Sequence, residues 1–403
     1  MNILVLAKKM PYPKRDGESI AIDVLAKGLN RQGACIDLLA MNTSKHYSSL
    51  QLDAFQDHPF NTIELVDIDN RINFFDAFKN LFSKESYHIS RFICSSYKTA
   101  LIEKLKSKSF DIIQLETLYL CPYIDIIKQY SNAKIVLRAH NVEHEIWDRI
   151  QKNEANFLKR AYLKYLIKKL YRFEIQAMSA VDMLLPISSR DARIFESLGF
   201  KGKLAVVPIG IESNGQVKEQ SFNNPITFGF IGSLDWLPNQ EGLNWFVEKV
   251  WKPFQKDHPS YNFNVAGRNT PSWMHTCNWP NTTIHGEVDS AEAFTTLNDV
   301  MVVPLLSGSG MRAKILEALA LGRNVITTSV GIEGIDAKAL KAVYVADDPK
   351  TFRHTMSELV QQNGEVRKNG IAAQKYIVQE YDYGRIGFRL HQVYEQLLPT
   401  VVL

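Results

Sequence analysis

The sequence predicts an α/β fold with two domains, each built on a parallel sheet. Short apolar segments of strand type alternate with segments whose apolar residues recur at helical spacing, and this series occurs twice. A polar stretch rich in turn-forming residues, 211–225, separates the two series. Such alternation is typical of βαβ units, in which helices cover both faces of a parallel sheet. The length of 403 residues fits two domains of ordinary size.

The first series occupies residues 1–210. Its strand segments are 3–6, 35–39, 110–116, 133–140, 182–188 and 203–210. A helix is predicted over 19–30, because apolar residues recur there at helical spacing after a loop rich in proline and glycine. These segments predict an N-terminal domain that ends at the polar stretch, which we interpret as a linker.

The second series occupies residues 226–384. Its strand segments are 226–233, 262–268, 282–288, 300–306, 324–329 and 342–347, and each precedes a segment of helical pattern. They predict a C-terminal domain of the same architecture. A last helical pattern, 385–398, follows this domain.

Composition and charge argue against several functional classes. Lys and Arg number 47 and Asp and Glu 43, a net charge of +4 that does not indicate a nucleic-acid partner. The cysteines have no C-x-x-C spacing, which favours a reducing compartment; they are Cys35, Cys94, Cys121 and Cys277. No apolar run approaches the roughly 20 residues of a membrane span, and the first one is too short for a signal peptide. We therefore expect a soluble cytoplasmic protein.

Glycines follow four strands of the second series. In open parallel sheets ligands bind outside the carboxyl ends of the strands. The glycine-containing strand ends are 231–233, 266–268, 285–287 and 307–310. The last precedes the helical pattern MRAKILEALALG, whose free N–H groups would hold a phosphate. Arg312 and Lys314 would add positive charge, and Glu317 would accept hydrogen bonds from a ribose. A single glycine of this kind is more often only a tight turn, but four at equivalent positions favour a ligand site.

Several stretches resemble glycosyltransferase family 4, retaining nucleotide-sugar enzymes of the GT-B fold. FIGSLDWLPNQEGLNWFVEKVW, VAGR and VPLLSGSGMRAKILEALALGRNVITTSVGIEGI resemble the donor half of that family. PYPKRDGESIAIDVLAKGLNRQG resembles its opening loop and helix. FDIIQLETLYLCPY and IVLRAHNVEHEIWDRI resemble members that build bacterial surface polysaccharides. The resemblance implies two Rossmann-like domains facing a central cleft, with the C-terminal helix 385–403 packed on the N-terminal domain.

The resemblance also implies an activity. It is the transfer of a hexose from a UDP- or GDP-linked sugar to a glycan or lipid-linked acceptor, with no cofactor and no metal. His140 matches the family histidine that contacts the donor sugar at the reaction centre, and Gly17 matches a glycine whose backbone approaches the donor phosphates. The strand ends and the resemblance together predict these donor-binding residues: Gly17, Gly232, Arg268, Glu287, Gly308, Ser309, Gly310, Arg312, Lys314 and Glu317. Without the resemblance, a core or capping role for His140 is the more common one.

Two positions depart from the family pattern. The family commonly carries two glutamates separated by seven residues, and the first would fall at Ser309 when the second is Glu317. The segment 234–239 also lacks the Arg and Lys that many relatives place there, so Lys314 and Arg312 would neutralise the diphosphate alone. Ser309 motivates an alternative function, a protein that binds nucleotide-sugars or glycans without turning them over.

The stretch RAHNVEHE raises a different alternative. His140, Glu143 and His144 have the H-x-x-E-H spacing of one group of zinc metalloproteases. That motif requires a helix to place both histidines on one face. Here His140 ends a predicted strand, and Glu143 and His144 are predicted in the first turn of the following helix. We therefore treat a zinc protease as a remote alternative.

The segment 156–178 has the composition of a membrane-surface helix. It interleaves aromatic and aliphatic residues with these basic ones: Lys159, Arg160, Lys164, Lys168, Lys169 and Arg172. Such a helix can lie on an anionic bilayer, which would suit a lipid-linked acceptor. An ordinary helix with one solvated basic face is the other interpretation.

Overall fold

The computed structural model divides the chain into two compact units. Unit 1 contains Met1–Gly210 and Tyr383–Leu403, and unit 2 contains Ile211–Asp382. The structure describes residues 1–14, 16–44, 47, 58–83, 85–213, 217, 221–308, 310–337 and 340–399, without the side chains of 74, 77, 78 and 153. Parts of the predicted linker, 214–216 and 218–220, lie outside the described residues, as does the predicted donor-binding residue Ser309.

Unit 1 is an α/β unit with a seven-stranded parallel sheet. Its strands are β1 (Asn2–Ala7), β2 (Cys35–Thr43), β3 (Thr62–Ile68), β4 (Ile112–Leu115), β5 (Lys134–Ala139), β6 (Met183–Pro186) and β7 (Lys203–Leu204). Its helices up to that point are α1 (Gly17–Asn30), α2 (Phe74–Asn80), α3 (Tyr87–Ser90), α4 (Ser95–Ser107), α5 (Ile124–Tyr130), α6 (Glu143–Asn153), α7 (Phe157–Ala180) and α8 (Ser189–Ser197), with a 3-10 turn at Leu118–Tyr123. The strand order is β3-β2-β1-β4-β5-β6-β7.

Unit 2 repeats this architecture with a six-stranded parallel sheet. Its strands are β8 (Phe228–Ile231), β9 (Phe263–Ala266), β10 (Thr282–Gly286), β11 (Val300–Val303), β12 (Asn324–Thr327) and β13 (Val343–Val345). Its helices are α9 (Leu237–Phe246), α10 (Lys252–Asp257), α11 (Ser272–His275), α12 (Ala291–Thr296), α13 (Ala313–Ala320), α14 (Pro349–Gln361) and α15 (Asn363–Tyr381), with a π-helical turn at Val247–Trp251. The strand order is β10-β9-β8-β11-β12-β13.

Alternate residues of the strands in unit 1 face two separate cores. On β1, Leu4 and Leu6 pack on one side of the sheet, whereas Ile3 and Val5 pack on the other. Successive side chains of a strand point to opposite faces, so a strand covered on both faces is apolar throughout. This is why the sequence shows continuous apolar runs there instead of alternation.

The chain returns to unit 1 through α16 (Tyr383–Glu395), which packs on α1. Gly28 of α1 and Gly387 of α16 meet at the crossing. A Cβ on residue 28 would lie 2.3 Å from the carbonyl oxygen of Tyr383 and 3.0 Å from Cα of Gly387. Only glycine permits this approach, and it brings Leu390 and Tyr394 into the core of unit 1.

The sequence-based strand assignments differ from the structure in two places. The strand β3 was not predicted, because TIELVDI carries two carboxylates and lies at the sheet edge with only its last residue buried. The predicted strand 203–210 forms a ladder only over Lys203–Leu204. Both differences fall on edge strands, where one side of the strand is unpaired and apolar burial is small.

Candidate active site

The carboxyl ends of β1, β4 and β5 bring polar residues together in unit 1. These strands are neighbours in the sheet, with β1 paired to β4 and β4 paired to β5. Lys8 follows β1, Glu116 follows β4, and His140 follows β5. Because parallel strands end at one edge of the sheet, three residues far apart in the chain form one cluster.

His140, the predicted catalytic residue, is held by a glutamate. Its Nε2 lies 2.7 Å from Oε2 of Glu116, and both side chains are buried. The same carboxylate oxygen accepts a hydrogen bond of 3.3 Å from Nη1 of Arg138. Burial opposes the charge of Glu116, but Arg138 and His140 outweigh it and hold the pKa of Glu116 below its ordinary value. Sequence reasoning missed Glu116, although its place at the end of predicted strand 110–116 was the available signal.

A second set of ionisable groups lies beside His140. Nζ of Lys8 is 3.0 Å from Oε2 of Glu18, the second residue of α1. Burial opposes the charge of Glu18, but Lys8, Lys9 and His140 together hold the pKa of Glu18 below its ordinary value. Gly17, which precedes Glu18, has open space around its Cβ position among the described residues. The start of α1 is therefore accessible, as a phosphate-facing glycine requires, although no contact of Gly17 assigns it that role.

Glu143 belongs to the same region and was not expected to be buried. Tyr119 donates a hydrogen bond of 2.8 Å to its Oε2, and the side chain is 6% exposed. Burial raises the pKa of Glu143 to about 7, a rise that Lys8 and Tyr119 only partly offset. Glu143 begins α6, as the sequence predicts for the helix start, but it faces the protein interior instead of solvent. It can therefore exchange a proton near neutral pH.

The two histidines of the H-x-x-E-H stretch belong to separate pairs. Nδ1 of His144 lies 2.5 Å from Oε2 of Glu174 on α7, whereas His140 contacts Glu116. Glu174 also accepts a hydrogen bond of 2.9 Å from the N–H of Glu143 and thereby caps α6. No group of three or more His, Cys, Asp or Glu side chains within the described ranges could hold a metal ion. The geometry thus gives the zinc protease alternative no support.

In unit 2, the predicted donor-binding residues meet between β8 and α13. Nζ of Lys314 donates hydrogen bonds of 3.2 Å to the carbonyl oxygen of Ile231 and to Oδ1 of Asn239. Gly232 leaves room for this arrangement, because a Cβ there would lie 3.1 Å from Nζ of Lys314 and 2.8 Å from Nδ2 of Asn239. Asn239 was missed from the sequence, where the segment 234–239 was considered only for the cations it lacks.

Burial changes the acid–base chemistry of this site. It lowers the pKa of Lys314 to about 7, and the neighbouring charge of Arg312 adds to the effect, while Glu317 opposes it. Burial also raises the pKa of Glu317, and the charge of Lys314 partly compensates. Lys314 and Glu317 therefore both have pKa values shifted toward neutrality by burial.

The glycine loop before α13 has backbone angles that favour glycine. Gly308 has φ +111° and Gly310 has φ +83°. A Cβ on Gly308 would lie 2.9 Å from Nη2 of Arg312, whose guanidinium lies over the ring of Trp236 at 5.8 Å. The helix begins at Ala313 with Arg312 as its N-cap, so it starts later than the sequence pattern indicated. Lys314 consequently lies in the first helical turn.

The two remaining predicted residues have different positions. Nη2 of Arg268 donates a hydrogen bond of 3.1 Å to Oγ of Ser233, which joins the ends of β9 and β8. Glu287 follows β10 at the sheet edge, its side chain is exposed, and β9 separates its strand from β8. The structure thus groups Gly232, Lys314 and Glu317 with Arg312, ties Arg268 to the neighbouring strand end, and places Glu287 further along the edge.

The comparisons with known proteins agree with this architecture. Residues 225–362 match the family model described as glycosyl transferases group 1, and this segment contains Gly232, Lys314 and Glu317. The chain therefore carries a glycosyltransferase group 1 domain and, with its two Rossmann-like parallel-sheet units, has the GT-B fold. Among curated proteins, the chain is 22% identical over 401 residues to an uncharacterized 44.6 kDa protein in the cps region of Klebsiella pneumoniae, covering 96% of this chain and 97% of that protein.

Solved structures share the fold over nearly the whole chain. Sucrose-phosphate synthase from Thermosynechococcus elongatus is 14% identical with a TM-score of 0.70, covering 98% of this chain and 99% of that one. HepE from Anabaena, solved in complex with UDP, is 12% identical with a TM-score of 0.65, covering 98% and 100%. A glycosyltransferase from Rickettsia africae is 14% identical with a TM-score of 0.63, covering 99% of both chains. At these identities the likeness shows the fold.

Proposed function

We propose that the chain is a retaining family 4 glycosyltransferase of the hexosyltransferase type. It transfers a sugar from a UDP- or GDP-linked donor to a glycan or lipid-linked acceptor in bacterial cell-surface polysaccharide biosynthesis. The observation that carries the proposal is that the segment matching the group 1 model is the segment that joins Gly232, Lys314 and Glu317 in one site. The relative in a cps region and the UDP in the HepE complex support the polysaccharide and the nucleotide, respectively.

The donor site supplies what departure of a diphosphate requires. Cleavage of the sugar–phosphate bond leaves negative charge on the diphosphate, and positive groups placed beforehand at that position lower the barrier. Lys314 and Arg312 occupy the first turn and N-cap of α13, where the helix N-terminus also favours an anion. These groups provide the positive potential that a divalent cation provides elsewhere, so we propose metal-independent transfer.

Unit 1 contributes the residues that act on sugars. His140 positions the donor sugar, and the acceptor hydroxyl attacks from the leaving-group face with the departing phosphate as its base. No covalent nucleophile is assigned. Lys8 and Glu18 lie beside the same strand ends and offer charged and hydrogen-bonding groups suited to hydroxyl-rich acceptors. Retention of anomeric configuration follows from attack on the face that the diphosphate leaves.

We further propose that unit 1 contacts the inner face of the cytoplasmic membrane through the N-terminal half of α7. Phe157 and Leu158 are 74% and 71% exposed, and Phe82 is 83% exposed. Tyr165 donates a hydrogen bond of 2.7 Å to the carbonyl oxygen of Leu81, which holds that loop beside α7. The exposed basic side chains on this helix are Lys159, Arg160, Lys164, Lys168 and Arg172.

One residue departs from the basic face that the sequence indicated for this helix. Lys169 is buried and donates a hydrogen bond of 2.7 Å to the carbonyl oxygen of Asn80, so it does not face a bilayer. No helix in the part of the chain that the structure describes is long and apolar enough to cross a membrane. Exposed apolar residues flanked by exposed cations are the pattern of a helix that lies in the interface of an anionic membrane.

The test of the proposed activity is thermal unfolding with UDP, GDP or no nucleotide, each in EDTA. A nucleotide at about 100 times its dissociation constant adds roughly 2.7 kcal/mol to the unfolding free energy, enough to raise the midpoint by a few degrees. The protein is then incubated with hexoses linked to the nucleotide that stabilises it, and NMR determines the anomeric configuration of the first product. A shift and a product of retained configuration support the proposal. A shift without turnover by any donor and acceptor favours the non-catalytic binding protein, and no shift with either nucleotide overturns the donor site.

A further inference from the structure

A chain of buried hydrogen bonds links the C-terminal helix to His140. The hydroxyl of Tyr394 on α16 donates to Oε1 of Gln114, and Nε2 of Gln114 donates to Oε1 of Glu116. Oε2 of Glu116 then meets Nε2 of His140 at 2.7 Å. Tyr394 is separated from Gln114 by 280 positions in the chain, and none of these four side chains is more than 8% exposed.

The linked residues lie on one face of the sheet. Gln114 and Glu116 are two positions apart along the end of β4, so their side chains point the same way, as do Arg138 and His140 along β5. Ile112 and Val136, two positions before Gln114 and Arg138, pack in the core that contains Tyr394. The face is therefore apolar at its base and becomes polar toward the strand ends, where His140 stands.

In this series of hydrogen bonds, each donor lies on the side away from Glu116, and the carboxylate of Glu116 is the final acceptor. Gln114 donates to one of its oxygens, and Arg138 donates to the other. Arg138 also donates a hydrogen bond of 3.0 Å to the carbonyl oxygen of Ala21 on α1 and is thereby held in place. An ionised carboxylate only accepts hydrogen bonds. The Nε2 atom of His140 must therefore carry a hydrogen, which leaves Nδ1 as the acceptor in the neutral ring.

We propose that Glu116 is a positioning residue that fixes His140 in its Nε2–H form and orients Nδ1 to accept a hydrogen bond from a sugar hydroxyl, and that Gln114 and Tyr394 hold Glu116 in place. The role in sugar binding rests on the proposed function, whereas the assignment of the His140 hydrogen to Nε2 does not. Within the described residues, Nε2 makes the only hydrogen bond of the His140 ring. The C-terminal helix thus contributes to the site without contacting substrate.

The neighbouring histidine provides an internal control. His144 contacts Glu174 through Nδ1, so its neutral ring is expected to carry the hydrogen on Nδ1, whereas that of His140 carries it on Nε2. Two histidines four positions apart are therefore expected to show opposite forms in one spectrum. The full-length protein labelled with 15N-histidine at about pH 8, where ordinary histidines are neutral, is measured by long-range 1H–15N NMR. His140→Asn and His144→Asn variants assign the two signals.

The wild-type spectrum is decisive without any further variant. An unprotonated Nδ1 on His140 together with a protonated Nδ1 on His144 supports the proposal. A protonated Nδ1 on His140 overturns it. Because this measurement needs no substrate, it stands or falls separately from transferase activity.

The second measurement tests Glu116 directly. In the wild type, Gln114 donates to Oε1 of Glu116, and Arg138 and His140 donate to Oε2. Glutamine has only one side-chain oxygen to accept these hydrogen bonds, so Glu116→Gln is expected to give a mixture of the two neutral forms of His140. We expect kcat to fall roughly 10- to 100-fold, the scale seen when an orienting partner of a functional histidine is lost. The UDP- or GDP-induced thermal shift should stay unchanged, because the predicted nucleotide-binding residues other than Gly17 lie in unit 2 and neither nucleotide carries the sugar that His140 is proposed to position. Tyr394→Phe should lower kcat less, by roughly threefold to tenfold.

Glu174→Gln is the matched control, and it should perturb the signal of His144 but not that of His140. A folded Glu116→Gln protein that keeps both the wild-type form of His140 and the wild-type kcat overturns the assignment. So does a Glu174→Gln protein that changes the His140 signal as much as Glu116→Gln does.

Discussion

Nζ of Lys314 lies 3.2 Å from Oδ1 of Asn239, and burial of this pair leaves the ammonium with a pKa of about 7. A diphosphate binds the charged form of a lysine more strongly than the neutral form, so binding should draw a proton onto Lys314. Below pH 7 the free protein already holds that proton, whereas above pH 7 the ligand must recruit it. If Lys314 binds the diphosphate as proposed, nucleotide binding should therefore depend on pH.

The first prediction is that nucleotide affinity falls as pH rises. Between pH 7 and pH 8.5 the dissociation constant for the stabilising nucleotide should increase by roughly tenfold. Isothermal titration calorimetry in buffers of different ionisation enthalpy should detect proton uptake at pH 7.5. In Lys314→Met the binding should be weaker and its pH dependence over this range lost. In Asn239→Asp, a carboxylate beside the ammonium should move the decline to higher pH. Wild-type affinity that is constant from pH 7 to 8.5 would contradict the prediction.

The second prediction concerns Gly232. Gly232→Ala places a Cβ 2.8 Å from Nδ2 of Asn239 and 3.1 Å from Nζ of Lys314, so Asn239 or Lys314 must move. We expect nucleotide affinity to decrease by roughly tenfold, about 1.4 kcal/mol, measured by the same calorimetry. Gly364→Ala in α15 is the control, because no described atom lies within 4 Å of its Cβ position. Equal affinities in the two variants would show that Lys314 does not depend on this glycine.

The third prediction concerns the buried carboxyl of Glu143. Burial raises its pKa from 4.5 to about 7, so between these pH values the folded state holds a proton that the unfolded state has lost. The unfolding free energy should therefore fall as pH rises through this window, by roughly 3 kcal/mol in total. Glu143→Gln removes the titration, so its thermal midpoint should exceed that of the wild type more at pH 8 than at pH 5. A constant difference between the two proteins across this range would contradict the assignment.

The fourth prediction concerns the crossing of α1 and α16. In Gly28→Ala the new Cβ meets backbone of Tyr383 and Gly387, which cannot turn away as a flexible side chain can. Overpacking of this kind costs about 1–3 kcal/mol, which for domains of this size lowers the thermal midpoint by roughly 2–4 °C per kcal/mol. Gly17→Ala on the same helix has no described atom within 4 Å of its Cβ position and should leave the midpoint nearly unchanged. Equal midpoints for the two variants would show that the helices separate without cost.

The fifth prediction concerns the exposed end of α7. Phe157→Asp with Leu158→Asp should reduce binding to vesicles of phosphatidylcholine with phosphatidylglycerol by more than tenfold in a sedimentation assay. The reason is that two apolar side chains proposed to enter the membrane are replaced by charges that anionic lipids repel. Binding should also weaken as salt is added. Phe388→Asp on α16 removes another exposed aromatic of unit 1 and serves as the control. Equal losses in both proteins, or wild-type binding to neutral vesicles alone, would reject α7 as the contact.

Residue types alone predicted several features of the fold. The apolar runs of β1, β4 and β5 indicated buried parallel strands, because a strand covered on both faces has no polar side. The strand patterns also placed His140 after β5 and Gly232 after β8. The rule that ligands bind at carboxyl strand ends pointed to Gly232, whereas the role of His140 came from the family resemblance. The edge strand β3 was missed because its burial is slight and its pattern mixed.

The partners of each side chain were decided only by the tertiary structure. Glu116 and Lys314 were both visible in the sequence, but the pairing of Glu116 with His140 and of Lys314 with Asn239 joins residues 24 and 75 positions apart. Burial is likewise a property of the assembled fold, which is why Glu143 and Lys169 read as surface residues and proved to be enclosed. The sequence by itself determined the central strands, most helices and the residues at the central strand ends, because those depend on local periodicity. Packing of distant segments determined the pKa values and hydrogen-bond directions, because desolvation and charge depend on what surrounds a group in space.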